Sequence, residues 1–278
     1  NHLLLAAGIL GTTGASLSRM LTLGAGGVVT KSIGPVPKDG HAGPCLVVLE
    51  DGLMNAMGLP NPSKDFVDEL APLAKKPVIV SIFGGTPEEF GMVAGWFAGI
   101  VAGFELNLSC PHAEGYGAAI GSDPALVEAC THAVSRSGVP TWVKLTPNVT
   151  DITAIGKAAE RGGASAIVAI NTVKAMRIST TMRRPVLGNR FGGLSGSAVF
   201  PVAVRCVYEL YDAVKIPIIG CGGISSADNV VEMMMAGARA VEIGSAVQAD
   251  ATVFEHISAL LYAKDGINPD EIVGCAHG

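Results

Sequence analysis

The run Gly103-Phe104-Glu105-Leu106-Asn107-Leu108-Ser109 alternates apolar and polar side chains with a period of two. Successive side chains of a strand point to opposite faces, so Phe104, Leu106 and Leu108 share one face and Glu105, Asn107 and Ser109 the other. With the apolar face against helices, the polar face points into a closed sheet. Polar groups placed there need hydrogen-bonding partners. Cys110-Pro111 and a glycine-rich stretch, residues 112–121, follow directly.

Outward from this run, apolar segments recur at residues 3–9, 27–32, 77–83, 141–145, 166–171, 216–222 and 240–246, which makes eight strands in all. Near-continuous apolar strands are the mark of a parallel sheet covered on both faces. Segments 124–137, 151–161 and 226–236 between them read as amphipathic helices. Eightfold strand–helix alternation predicts a (β/α)8 TIM barrel, with an open doubly wound sheet as the alternative. Two stretches exceed the bare repeat. Residues 34–62 are rich in Gly and Pro, and residues 172–201 carry Lys174, Arg177, Arg183, Arg184 and Arg190. Both follow C-terminal strand ends, so both are expected over the barrel mouth, where long insertions are usually functional. No linker or low-complexity tract interrupts the 278 residues, and a single domain is expected.

Hydrophobic residues make up 49% and charged residues 15% of the chain, which suits a large buried core and argues against disorder. A net charge of −5 gives no basic surface for nucleic acid. Mean hydropathy is +0.45, but the longest charge-free apolar stretch, residues 90–104, contains four glycines. It is shorter than the roughly 20 residues of a spanning helix and reads as a buried helix running into a strand. No signal peptide is visible, and the chain opens at Asn1 in an apolar run, so a truncated N-terminus is the expectation. None of the six cysteines is spaced C-x-x-C, which disfavours zinc or iron–sulfur ligation and suits reduced thiols in the cytoplasm.

Catalytic groups of such barrels come from the C-terminal strand ends. Here those ends are Ala6-Ala7-Gly8, Lys31-Ser32, Asn107 with Ser109 and Cys110, Lys144, Asn171-Thr172, Gly222-Gly223 and Gly244-Ser245. Gly220-Cys221-Gly222-Gly223 leads into Ser225-Ser226, a helix N-cap signal. Glycines and a helix start at the last two strands suit an anion such as phosphate, with plain turn chemistry as the alternative. The ends carry no His and no carboxylate pair, which leaves Cys110 and the two lysines as acid–base candidates. A free thiol has a pKa of about 8.5 and only its thiolate is a good base. Lys31 and Lys144 each need a partner: a shared anionic ligand, an ion pair with Glu105, or solvent. A bound FMN with a planar anionic substrate would use this whole set.

Several longer motifs resemble the dihydroorotate dehydrogenase family. They are Met54-Asn55-Ala56-Met57-Gly58-Leu59-Pro60-Asn61, Glu105-Leu106-Asn107-Leu108-Ser109-Cys110-Pro111 and Val143-Lys144-Leu145-Thr146-Pro147-Asn148-Val149-Thr150-Asp151. Arg184-Pro185-Val186-Leu187 and Gly192-Gly193-Leu194-Ser195-Gly196 complete the set. The resemblance runs in order along essentially the whole chain. Cysteine rather than serine at the base position resembles class 1, and the Arg184–Leu187 segment resembles subclass 1B.

The resemblance implies oxidation of dihydroorotate to orotate in pyrimidine biosynthesis. Cys110 would remove the C5 proton while the C6 hydrogen leaves as hydride to FMN. Substrate contacts would come from Lys31, Asn55, Ala56, Met57, Gly58, Leu59, Asn107, Asn171 and Thr172. FMN contacts would come from Ala7, Lys31, Ser32, Ser81, Asn107, Lys144, Ile170 and Gly196, with Gly222, Gly223, Gly244 and Ser245 mainly at its phosphate. Lys144 would stabilise negative charge on the reduced ring. A second subunit carrying FAD and a 2Fe-2S cluster would pass electrons to NAD, in a heterotetramer built on a catalytic homodimer.

The chain departs from the family pattern in three places. His112 stands where the family usually has Asn, and Ser109-Cys110-Pro111-His112 is similar to the pyrimidine-reducing domain of dihydropyrimidine dehydrogenase. Ala7 replaces a common Ser, and Ser81 a common Asn. A dihydropyrimidine dehydrogenase subunit, a non-catalytic barrel and a Schiff-base lyase using Lys144 are the competing readings.

Overall fold

The computed structural model describes residues 1–108, 120–263 and 268–278. The elements run β1 (Leu3–Leu5), α1 (Gly14–Thr22), β2 (Gly27–Val29), β3 (Leu46–Leu49), β4 (Gly52–Asn55), α2 (Phe66–Leu70), β5 (Val78–Ile82), α3 (Pro87–Phe97) and β6 (Gly103–Asn107). After them come α4 (Pro124–Ser135), β7 (Thr141–Leu145), α5 (Ile152–Arg161), β8 (Ala166–Ala169), β9 (Val173–Ala175), β10 (Ile178–Ser179), β11 (Arg184–Pro185) and β12 (Gly192–Ser195). The chain closes with α6 (Phe200–Ala213), β13 (Ile218–Cys221), α7 (Ala227–Met235), β14 (Ala238–Ile243), α8 (Ser245–Ala249) and α9 (Val253–Ala263).

Eight of these strands close into a parallel barrel in the order β1-β14-β13-β8-β7-β6-β5-β2. They fall on the eight expected apolar runs, so the barrel reading holds and the open sheet does not. The expected strands are mostly longer than the observed ones. The first stops at Leu5 rather than residue 9, with Gly8 turning the chain at φ +89.

The helices start where side chains can cap them. Thr13 and Ser16 form a capping box on α1, and Thr86, Asp123, Asp151 and Ser226 accept from the first-turn amides of α3, α4, α5 and α7. One face of each helix then packs on the barrel. In α5 that face is Ile152, Ile155, Gly156, Ala158 and Ala159. The shell between helices and barrel holds the large buried side chains Phe66, Phe90, Phe97, Phe104 and Phe254. Each contributes about 1.5–3 kcal/mol by leaving water.

The alternation read from β6 is borne out. Phe104, Leu106 and Leu108 join the outer core, while Glu105 and Asn107 line a cavity inside the barrel. Beneath that cavity the interior is plugged by Leu4, Ala6, Ala166, Val168, Ile219 and Cys221, with Trp142 and Ala240 against them. The two insertions build structure that their sequences did not announce. β3, β4, β12 and β9 form one antiparallel sheet, and β10 pairs with β11. Met54, Ala56 and Leu187 give it a small core of its own. Among the described residues, no helix is long and apolar enough to cross a membrane.

Candidate active site

A cavity of about 340 Å³ opens at the C-terminal ends of the barrel strands, within the usual range for small-molecule sites. The strand ends deliver Ala6 and Ala7 after β1, Lys31 and Ser32 after β2, Asn107 from β6 and Lys144 from β7. Ile170, Asn171 and Thr172 follow β8, Gly222 and Gly223 follow β13, and Gly244 and Ser245 follow β14. Asn55, Met57, Gly58 and Leu59, from the first insertion, complete the wall.

The floor is charged. Lys144 Nζ lies 2.5 Å from Glu242 Oε2 and 3.6 Å from Glu105 Oε1, and all three side chains are buried. Burial opposes the lysine's charge, but the negative charge of the neighbouring carboxyl pair, Glu105 and Glu242, outweighs it and holds its pKa well above the ordinary value. Burial, then the charge of Glu242, pushes Glu105 well above the carboxylate range. Burial likewise raises the Cys221 thiol to about 12. Lys144 is therefore an ammonium and Cys221 a neutral thiol near neutral pH. The acid–base candidates read at the strand ends left out the buried carboxyls. Glu105 and Glu242 form a pair a level below those ends, from strands on different sides of the barrel.

Above the floor runs a relay of hydroxyls and amides. Ser81 Oγ and Ser32 Oγ lie 2.9 Å apart, and Asn107 Nδ2 donates to Ser32 Oγ at 3.0 Å. Asn171 Nδ2 donates to Asn107 Oδ1 at 3.4 Å, and the Thr172 amide donates to Asn171 Oδ1 at 2.7 Å. Chained bonds of this kind fix each amide's orientation before any ligand arrives. Beyond Thr172, Asn148 Nδ2 donates to the Thr172 carbonyl at 3.0 Å and ties the β7 and β8 loops together.

The glycines at the far end are conformationally required. Gly222 has φ +130 and Gly223 φ +73, a region L side chains avoid. A Cβ on Gly223 would meet the Gly196 carbonyl oxygen at 2.7 Å and the Phe200 amide nitrogen at 2.9 Å. Gly193 is similarly confined, since its Cβ would fall 2.0 Å from Thr172 Oγ1.

Most of the sequence-predicted site residues thus meet in one cavity. Three do not reach its wall. Ala56 is buried in the core of the inserted sheet. Ser81 is not among the described wall residues and bonds to one of them, Ser32. Gly196 is a glycine because a Cβ would sit 2.5 Å from Gly52 Cα, where β12 packs on β4. Cys110 and Ser109 lie outside the described residues. Sequence reading missed Glu242, Gln248, Leu46, Leu53, Gly193, Leu194 and Ser195, several of which line the wall. Glu242 carried a usable signal: one charge on the inward face of an apolar strand, as Glu105 does. The basic residues of the second insertion do not line the cavity. They are exposed, with Lys174 Nζ 5.6 Å from the Phe191 ring centroid.

Comparison with known proteins agrees with this geometry. The family model described as dihydroorotate dehydrogenase matches residues 1–264. The chain is 59% identical to a Methanosarcina mazei protein named dihydroorotate dehydrogenase B (NAD(+)), catalytic subunit, covering 100% of this chain and 92% of that one. A Methanocaldococcus jannaschii protein of the same name is 43% identical over 100% of this chain and 94% of its own length. A crystal structure of DHODH in complex with ferulenol from Eimeria tenella superposes with a TM-score of 0.84 at 18% identity, covering 100% of this chain and 85% of that one, and shows the shared fold.

Proposed function

The chain belongs to the dihydroorotate dehydrogenase family, and from that premise we propose that its barrel-mouth cavity binds FMN and oxidises dihydroorotate to orotate. The observation that carries this reading is the convergence, in one cavity, of Lys31, Lys144, three asparagines and the glycines after β13 and β14.

The residues present fit FMN. Gly222, Gly223, Gly244 and Ser245 offer a small-residue end for its phosphate. Lys144, held as an ammonium by buried carboxyls, suits the edge of a ring that gains negative charge. Ala7, Lys31, Ser32, Asn107 and Ile170 would line the ring, and Ser81 supports it through Ser32. When bound, FMN supplies the two-electron acceptor that no side chain here provides.

The chain's own groups do the rest. Asn55, Asn107, Asn171 and Thr172 orient the pyrimidine, and the prior bonding of Asn107 to Ser32 and of Asn171 to Asn107 holds two of these amides in place. Lys31 offers a cation to the substrate carboxylate. Met57, Gly58 and Leu59 close the pocket above it. Cys110 takes the C5 proton as thiolate.

Electrons leave through a partner subunit. The relatives' name, catalytic subunit, supports a partner, and an FAD- and 2Fe-2S-bearing subunit delivering electrons to NAD is our reading of it. Exposed Val48, Ile178, Met182 and Phe191 on the inserted sheets supply apolar surface for association, within a heterotetramer built on a homodimer. Free thiols at the five described cysteines support a cytoplasmic location.

Turnover of the purified chain with an artificial electron acceptor tests the reading. Dihydroorotate is expected to be oxidised and dihydrouracil not. Activity with dihydrouracil alone would transfer the site to the dihydropyrimidine dehydrogenase reading suggested by His112.

A further inference from the structure

Among the described residues, three buried carboxyl oxygens in the cavity floor have no hydrogen-bond donor: both oxygens of Glu105 and Oε1 of Glu242. Yet the two carboxyls converge on one ammonium, Lys144 Nζ lying 3.6 Å from Glu105 Oε1 and 2.5 Å from Glu242 Oε2. Two carboxylates only accept, so they cannot bond to one another. A single proton between them supplies the missing donor. The charges point the same way. Two carboxylates around one ammonium would leave the buried floor with a net negative charge, whereas one added proton makes it neutral.

We propose that Glu105 is a carboxylic acid whose hydroxyl donates a hydrogen bond to Glu242, so that the pair carries one negative charge and holds Lys144 as its counter-ion. The distances decide which residue carries the proton. Glu242 sits at 2.5 Å from the ammonium and is the anion; Glu105, at 3.6 Å, is the acid. Burial and the neighbouring Glu242 charge both favour that assignment. Cys221 faces the same group as a neutral thiol, its pKa raised by burial to about 12, and among the described residues Lys31 is the remaining titratable group of the cavity wall.

Glu105 is thereby a positioning residue acting through Lys144. Its proton keeps the floor neutral, so negative charge gathering on a ligand beside Lys144 meets an ammonium not overcompensated by two anions. This consequence rests on the flavin reading above; the location of the proton does not.

Infrared spectroscopy of the full chain tests the proton directly, with FMN bound and after its removal. At neutral and mildly alkaline pH we expect the carbonyl stretch of one buried protonated carboxylic acid, shifted by deuterium exchange and lost in Glu105→Gln. In Glu105→Asp, whose shorter arm loses the bond to Glu242, the band is expected at a changed frequency. Absence of such a band in the unsubstituted chain, its survival in Glu105→Gln, or an unshifted band in Glu105→Asp would overturn the proposal. A chain that binds no FMN but shows the band would fail the flavin reading and leave the proton in place.

Discussion

Lys144 and Glu242 stand 98 residues apart in sequence and meet at 2.5 Å inside the barrel. The contact joins β7 to β14, which are not neighbours in the sheet, so it braces the interior across its width. Removing the cation alone would leave a buried carboxylate without a counter-charge. Lys144→Met is expected to lower stability by about 3–5 kcal/mol, read from urea unfolding. The same variant should retain FMN more weakly.

Stability should also carry the mark of Glu105. Its folded pKa lies above its unfolded value, so its contribution is complete below about pH 4.3 and is lost as pH rises toward the folded value. Folding in that window must take up a proton. Glu105→Gln needs none. Relative to the unsubstituted chain, the variant should gain about 1.4 kcal/mol per pH unit above pH ~4.3 until Glu105 ionises in the folded state. Urea unfolding between about pH 5 and about pH 8 measures the difference, and a constant offset across that range would contradict the raised pKa.

Cys110→Ala should reduce turnover by about 10²–10⁴-fold, the usual contribution of a positioned general base, while the FMN spectrum is retained. Cys110→Ser should leave a trace of activity that rises with pH. Near-normal turnover in the alanine variant would remove Cys110 from the base role.

Gly223→Ala places a side chain at φ +73, costing about 1–2 kcal/mol from the left-handed backbone alone, before its contacts with Gly196 and Phe200. The turn must then shift. We expect weaker FMN retention on gel filtration and at most a modest fall in thermal stability. Gly24→Ala, also at positive φ but beside Glu255 in the outer shell, should leave FMN retention unchanged.

Much of this architecture was open to reading in the chain. The barrel strands are apolar on both faces, and that continuity survives without any partner being known. Inward Glu105 and Asn107 were visible because alternation in β6 is a local property. Glu242 was not recognised, although it follows the same rule, because its meaning depends on Lys144 across the barrel. The inserted sheet was missed for a related reason. Leu46–Leu49 alternates between exposed and half-buried, and β4 pairs with β12 about half the chain away in sequence, so neither strand has a strong local pattern. Ser81 was read as a flavin contact, and the structure adds its contact with Ser32, which spans 49 residues and leaves no trace in either strand alone.

The central claim is that this cavity joins FMN to dihydroorotate. Anaerobic titration of the purified, FMN-loaded chain measures that junction without any partner subunit or external acceptor. One equivalent of dihydroorotate is predicted to bleach the yellow flavin absorbance and release orotate, with no bleaching by dihydrouracil. A chain that takes up no FMN, or one whose flavin keeps its full colour in excess dihydroorotate, would contradict the account.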